Sequence, residues 1–327
     1  VIPRLGGVSF FPAVVFTLAL MTGLNRIYGP EVFPSIISGS DTAVLSFGLS
    51  SLLLLYLTGI TDDLIGVRYY QKFIVQIFCA ILLVTSGLWI NNLYGIFGIY
   101  ELPASVGIPF TVFAIVFITN AINLIDGIDG LASGLSGIAF LFFTVLFAYQ
   151  REWLYASLAI VTLGTLIPFF YYNVFGNPAR GRKIFMGDTG SLTIGFVLSI
   201  LAIRFSMSDV TVLHRVPDAI VIAFSVLITP VFDVVRVILH RARFHKNIFS
   251  PDKNHIHHKF LALGFTHRAA MITILLISAG FAAMNLLLLT HVNINVLLFL
   301  DIFIWTVMQL YLSHRIKQVK EASDSKH

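Results

Sequence analysis

The sequence predicts an all-α fold, a bundle of membrane-spanning helices, on three observations. Of its 327 residues, 57% are hydrophobic and 11% are charged, and the mean hydropathy is +0.89. Soluble domains carry about 25% charged residues. Apolar runs long enough to cross a bilayer, about 20 residues each, recur from one end of the chain to the other. The cations are sorted: alternate loops hold very unequal numbers of Lys and Arg.

Ten spans are predicted, near 5–24, 42–61, 72–90, 106–125, 131–149, 153–172, 189–206, 217–239, 268–290 and 294–314. The stretch 91–103, NNLYGIFGIYELP, is too broken to span and reads as a small hairpin or an interfacial segment. The chain opens on VIPRLGG, without Met and in mid-motif, so a first helix is expected to be missing and eleven spans are expected in the full protein. No polar stretch is long enough for a second domain, and residues 1–327 are read as one membrane domain. The single Cys, Cys79, lies in an apolar run, which excludes a disulfide framework and a Cys-based metal site.

With the loops assigned alternately to two sides, 17 of the 21 Lys and Arg residues fall on one side. The four on the other side are Arg26, Arg151, Arg204 and Arg215. Positive charge is retained on the cytoplasmic side, so the basic side is read as cytoplasmic, with both visible ends there.

The unusual polar residues converge on that side in four loops. Asp62 and Asp63 close the second span, where the helix dipole is already negative and adjacent carboxylates repel unless a cation intervenes. A hard cation such as Mg²⁺ suits carboxylate oxygens; a solvated helix end with Arg68 and Lys72 as loose partners is the plainer alternative. In NAINLIDGIDGL, Asn120, Asn123, Asp126 and Asp129 recur every three residues. An α-helix would rotate that series around its axis, whereas a tighter turn, eased by Gly127 and Gly130, would align it. The helix is therefore expected to end near Asn123 with both Asp residues on a bent polar lip, against the alternative of ordinary Asp-Gly turns. In FMGDTGSLTIGF, Asp188 opens the seventh span, a position that suits capping as well as ligand binding. The loop HRARFHKNIFSPDKNHIHHKF is basic and carries His255, His257 and His258. Arg241, Arg243, Lys246, Lys253 and Lys259 nearby favour an anionic ligand. Zinc is the weaker reading, because no HExxH pattern and no Cys supports it. Carboxylates for a divalent metal beside cations for phosphate suit phosphoryl transfer, and the membrane location points to a lipid substrate.

PRLGG (3–7), DDLIGVRYYQK (62–72), NAINLIDGIDGLASG (120–134), KIFMGDTGSLTIG (183–195) and SPDKNHIHH (250–258) occur in this order. Together they resemble the polyprenyl-phosphate N-acetylhexosamine-1-phosphate transferases across nearly the whole chain. The resemblance implies transfer of a sugar 1-phosphate from a UDP-N-acetylhexosamine to undecaprenyl or another polyprenyl phosphate, with release of UMP and use of Mg²⁺, for which Mn²⁺ is a possible substitute. It implies Asp62 and Asp188 as metal ligands and Asp63 as the residue assisting attack by the lipid phosphate. Lys72 would contact phosphate, and Phe185 would stack on uracil. Asn123, Asp126, Asp129 and Asn173 would shape the nucleotide pocket, while Arg241 and the HIHH residues would hold the amino sugar and diphosphate. The acceptor phosphate is largely dianionic at pH 7, so the reaction has no obligatory base.

The long basic loop, the linker NVFGNPARGRKIF and HIHH in place of three consecutive His resemble the undecaprenyl-phosphate N-acetylglucosaminyl-1-phosphate branch. That branch is expected to act in the bacterial plasma membrane on O-antigen, teichoic-acid linkage or capsule precursors. The muramyl-pentapeptide transferase is the alternative within the family. A transporter is the alternative outside it, disfavoured because the carboxylates cluster at one membrane edge rather than at the midplane. The expected partners are the UDP-sugar, the lipid phosphate and the bilayer, with no nucleic acid; a homodimer is compatible with the sequence, which does not set oligomeric state.

Overall fold

The architecture follows from burying one helix on all sides. In a computed structural model, residues 4–29, 41–209, 211–214, 216, 218–245 and 254–324 are described. A 3₁₀ turn, Gly6–Ser9, leads into α1 (Phe10–Tyr28), followed by α2 (Asp41–Ile65) and α3 (Tyr69–Thr85). A hairpin of β1 (Asn92–Ile96) and β2 (Ile99–Glu101) separates these from α4 (Ala104–Ile125), α5 (Leu131–Gln150) and α6 (Trp153–Phe175). Then come α7 (Gly187–Ser206), α8 (Ala219–Ser225), α9 (Ile228–Arg243), α10 (Ile256–Ala262), α11 (His267–Leu288) and α12 (Ile294–Asp324).

Helix α7 is the hub. Its apolar window is 94% buried, against 22–50% for the other spans. Such a helix must offer apolar or small side chains on every face, and in lipid small residues let backbones approach. The α7 sequence does both. A Cβ on Gly195 would lie 2.9 Å from the Cα and carbonyl oxygen of Thr119 in α4. Gly59 of α2 lies against the Thr189 backbone, and Gly7 lies against Gly190. The hydroxyls of Thr193 and Ser199 bond to carbonyls of their own helix, Thr189 and Phe196, at 2.7 Å, so neither hydroxyl is stranded in the apolar interior. These contacts draw the ends of α2 and α4 against the start of α7.

The other end of α7 is also tied down. Arg204 bonds Glu152 and Asp209, each at 2.8 Å, and lies over the Tyr155 ring at 5.3 Å. Asn91 and Ser208 exchange two hydrogen bonds, of 3.0 and 2.8 Å. One of the few cations assigned to the poorer side is thus held in an ion-pair network. The 91–103 segment is a hairpin: Phe97 and Gly98 adopt φ of 52° and 77°, the left-handed pair that a two-residue turn requires. Asn295, at the start of α12, bonds the Phe97 N–H and the Gly95 carbonyl.

Two expectations are corrected. The predicted span over 217–239 is broken: α8 and α9 meet at an angle of 80°. Pro230 supplies the reason, since its ring conflicts with the carbonyl four residues earlier, at Val226, and it donates no N–H. Helix α3 has 17 residues and starts at Tyr69, so it is shorter than the span predicted at 72–90. Helix α4 ends at Ile125, near Asn123 as expected and with both Asp residues beyond it. The chain then turns at Asp126 (φ −73°, ψ 55°), where the Gly127 N–H bonds the Ile125 carbonyl at 2.8 Å, an inverse γ-turn. Among the described residues, eight helices are long and apolar enough to cross a membrane, or nine if the bent pair is one span.

Replacing Gly195 with Val should overpack the α4–α7 contact and cost about 1–3 kcal/mol. The check is thermal unfolding in detergent; an unchanged midpoint would mean that these helices do not pack as described.

Candidate active site

The two adjacent carboxylates at the end of α2 face different partners, because neighbours on a helix diverge by about 100°. Asp63 turns to α7: its carboxylate accepts the N–H groups of Asp188 (2.8 Å) and Thr189 (2.9 Å) and the Thr189 hydroxyl (2.6 Å). It satisfies the first donors of the buried helix and opposes the positive end of its dipole. Gly187, at φ 71°, is obligatory there, since a Cβ would lie 2.5 Å from an Asp63 carboxylate oxygen. Both Asp63 oxygens face the start of α7 in this arrangement.

Asp62 faces the other way. One oxygen accepts the Val67 N–H at 2.5 Å and the other accepts Lys72 Nζ at 2.8 Å. Lys72 also reaches Asp188 at 3.5 Å. A single ammonium therefore lies between two carboxylates from α2 and α7. The second oxygen of Asp188 accepts a hydrogen bond from Asn123 Nδ2, which also reaches the Ser191 hydroxyl at 2.8 Å. One turn deeper, Asn120 donates to Gln76 at 2.5 Å and accepts from it at 3.4 Å, joining α4 to α3.

The lip after α4 carries the other two aspartates. Burial, together with the charges of Asp188, Asp129 and Asp63, pushes the Asp126 carboxyl up to about 7, although its side chain keeps solvent contact. Asp129 pairs with Lys183 at 2.5 Å. Asn173 fastens the lip to the stretch before α7: its oxygen accepts the Gly130 N–H (2.6 Å) and its nitrogen donates to the Ile184 carbonyl (2.8 Å). Asn173 thus shapes the site by holding backbone. Phe185 is half-buried, and its carbonyl accepts the Gly6 N–H at 3.0 Å; its side chain lies outside the large cavity lining described next.

That cavity, of about 920 Å³, lies between α3, α4, α9 and α10. Lys72, Asn123, Arg241, His255, His257 and His258 line it, with Asn120 deeper in. Beyond them the walls are apolar: Ile77, Val112, Phe113, Val116, Phe117 and Ile238. From Leu124 to Val112 the α4 wall descends about 18 Å at 1.5 Å per residue. The break at Val226–Leu227 redirects α9 to form the opposite wall.

The HIHH segment sits over this cavity on α10. His257 is 2% exposed, and both of its ring nitrogens are buried without a hydrogen-bond partner. Burial and the neighbouring His258 and His255 hold it down at about 4, so it is neutral at pH 7. Its ring packs on Gly127, where a Cβ would overlap it; the DGIDG lip and HIHH, far apart in sequence, are in direct contact. Lys259 anchors α10 to α12 through the Gln309 side chain (2.8 Å) and Ser313 (2.9 Å). Burial lowers this amine to about 8.

One residue here escaped the sequence reading. Asp233 of α9 is fully buried and bonds His255 Nδ1 at 2.8 Å, the Ile256 N–H at 3.0 Å and Arg236 at 3.0 Å. The signal was available: an acid inside an apolar run marks a functional site. Lys246 and Lys253 lie outside the described residues. Among the described residues, no three His, Cys, Asp or Glu side chains gather into a metal cage.

The arrangement offers carboxylates and an ammonium at a membrane edge, backed by a histidine-lined cavity that continues between apolar walls. The family model for glycosyl transferase family 4 matches residues 45–206, which run from α2 to α7 and include Asp62, Lys72, Asn123 and Asp188. The chain is 34% identical over 312 residues to a probable undecaprenyl-phosphate N-acetylglucosaminyl 1-phosphate transferase of Bacillus subtilis (strain 168), covering 95% of this chain and 79% of that protein. It is 31% identical over 287 residues to the undecaprenyl-phosphate alpha-N-acetylglucosaminyl 1-phosphate transferase of Salmonella typhi, covering 87% and 72%. The Escherichia coli (strain K12) protein of the same name is 29% identical over 288 residues, covering 88% and 72%. Those alignments extend past α7 toward Asp233 and the histidine segment. On this likeness across most of its length, the chain belongs to glycosyl transferase family 4 and is a membrane-bound transferase.

Proposed function

We propose that the protein transfers N-acetylglucosamine 1-phosphate from UDP-N-acetylglucosamine to undecaprenyl phosphate at the cytoplasmic face of a bacterial plasma membrane. The observation that carries this reading is the single cavity, charged at one end and apolar along its walls, which suits a lipid phosphate entering from the bilayer. The relatives, named for transfer of N-acetylglucosamine 1-phosphate to undecaprenyl phosphate, support the donor and acceptor, and they favour this donor over the muramyl-pentapeptide alternative.

In this reading the polyprenyl chain lies along Val112, Val116 and Ile238, and Lys72 holds its phosphate. An acceptor oxygen forms a bond to the β-phosphorus of the UDP-sugar while the bond from that phosphorus to the bridging oxygen breaks, and UMP leaves with the electron pair. The acceptor is dianionic near pH 7, so Asp63 is free to remain a helix cap. Neutral His257 offers one donor and one acceptor to the sugar or diphosphate.

Asp62 and Asp188 would hold Mg²⁺. Two carboxylates sharing one ammonium, beside an Asp126 raised by neighbouring acids, form an anionic crowd that a divalent cation relieves. The donor set fits Mg²⁺, which takes one or two carboxylates and completes its shell with water and substrate phosphates. When bound, the ion neutralises charge on the diphosphate and on the transferring phosphoryl group.

The first experiment supplies purified protein with undecaprenyl phosphate, UDP-N-acetylglucosamine and Mg²⁺, and follows UMP and the mass of the lipid product. Mg²⁺-dependent UMP with a lipid-linked sugar diphosphate is expected; no turnover with any UDP-hexosamine by folded protein would overturn the reading. Asp188→Asn should lower kcat at least 10³-fold while thermal unfolding stays near wild type, and near-normal turnover would remove the metal assignment. Gly127→Ala should push a methyl into the His257 ring and raise KM for the UDP-sugar about tenfold; an unchanged KM would dissociate the lip from donor binding. The Asp126 carboxyl is raised to about 7, so it loses its negative charge as pH falls through that value. Mg²⁺ affinity should therefore weaken as pH falls from 8 to 6, and Asp126→Asn should flatten that slope. An unchanged slope would assign the proton elsewhere.

A further inference from the structure

Asp233 is tied to the site only through its neighbours. It is fully buried on α9, and its two oxygens serve different partners. One accepts the Ile256 N–H and Arg236, each at 3.0 Å; the other faces His255 Nδ1 at 2.8 Å. Arg236 also donates to the Asn254 carbonyl, so the acid, the arginine and the entry to α10 form one unit. His255 is 6% exposed and lines the large cavity. Its ring is parallel to that of His257, 2° apart in plane with centroids at 6.0 Å.

We propose that Asp233 is a positioning residue that sets the proton and the direction of His255, so that His255 Nε2 is presented to a phosphate oxygen of the substrate. A carboxylate only accepts hydrogen bonds, so the proton between the two groups sits on Nδ1. With Nδ1 pinned, Nε2 is the ring nitrogen left for a ligand. A ring whose Nδ1 is held by a buried carboxylate is fixed in orientation, and its other edge is the one that meets the cavity. Asp233 bonds His255 Nδ1 and the His257 ring stacks on it, while Arg236 shares the other oxygen of Asp233 and Lys72, Arg241 and His258 line the same cavity. The same carboxylate caps the segment that carries HIHH, so one acid fixes both the helix and the tautomer. The identity of the ligand as a phosphate rests on the proposed transferase reading; the Asp233–His255 pairing does not.

The test substitutes Asp233→Asn. The amide oxygen can keep the Ile256 N–H and Arg236, which turns the NH₂ toward His255 and forces the proton from Nδ1 to Nε2. Nitrogen-15 spectra of histidine-labelled protein, with the His255 signals identified by their loss in His255→Asn, should show protonated Nδ1 in wild type and unprotonated Nδ1 in Asp233→Asn. The turnover number with UDP-N-acetylglucosamine should fall about 10- to 100-fold, the range seen when the outer partner of a functional histidine is removed. On a His255→Asn background the same change should cost less than about threefold, because residues acting through one another are not additive. An unprotonated Nδ1 in wild type overturns the proposal, even if no Asp233 variant folds. Full additivity of the two substitutions overturns it as well, as does wild-type turnover in Asp233→Asn. Wild-type protein inactive with UDP-N-acetylglucosamine but carrying protonated Nδ1 would fail the transferase reading while supporting the pair.

Discussion

The capping of α7 by Asp63 is the interaction on which the site depends. A helix start buried inside a membrane protein exposes backbone donors with no water to satisfy them, and each unmet donor is costly in that medium. Asp63 answers with two N–H groups and a hydroxyl, and Gly187 admits the carboxylate where a Cβ would block it. Gly59 lets α2 come close enough for the reach. Once α2 and α7 are locked in this way, Asp62 and Asp188 must lie near one another, and Lys72 of α3 falls between them.

The same device recurs at the second half of the site. Asp233 takes the first N–H of α10 and the ring nitrogen of His255, as Asp63 takes the first N–H groups of α7. In each case an acid on one helix fixes the start of another helix, and the exposed chemistry is carried by the helix that is fixed. Two neighbouring acids therefore meet different partners: Asp63 directs its oxygens to the start of α7, while Asp62 and Asp188 each direct one oxygen to Lys72. Rigid support of this kind suits phosphoryl transfer, where positioning and charge stabilisation supply nearly all of the catalysis.

The bend between α8 and α9 completes the cavity. A straight span would carry Val234, Ile238 and Arg241 elsewhere; after the 80° turn they form the wall opposite α4. Pro230 accounts for the break locally, yet Pro168 lies inside α6 without ending it. The local sequences look alike in this respect, so a single span over 217–239 was a reasonable expectation and a wrong one. Asp233 was overlooked for a related reason: with Arg236 one turn away it reads as a charge pair on a helix, and its partner His255 lies 22 residues on.

By itself the sequence determined the membrane class and the convergence of Asp62, Lys72, Asn123, Asp188 and the histidines, and it left 91–103 open between a hairpin and an interfacial segment. These follow from length, hydropathy and loop charge, which act locally. It also carried the family likeness, because ordered motifs survive in sequence. Only the tertiary structure decided which of two adjacent aspartates meets Lys72 and which caps a helix, that Asn173 holds backbone, that Phe185 lies outside the cavity lining, and that Gly127 meets His257. Those assignments depend on the rotation and approach of helices distant in the chain. That geometry is set by small-residue contacts and by the need to satisfy every buried donor, and no local window of sequence contains it.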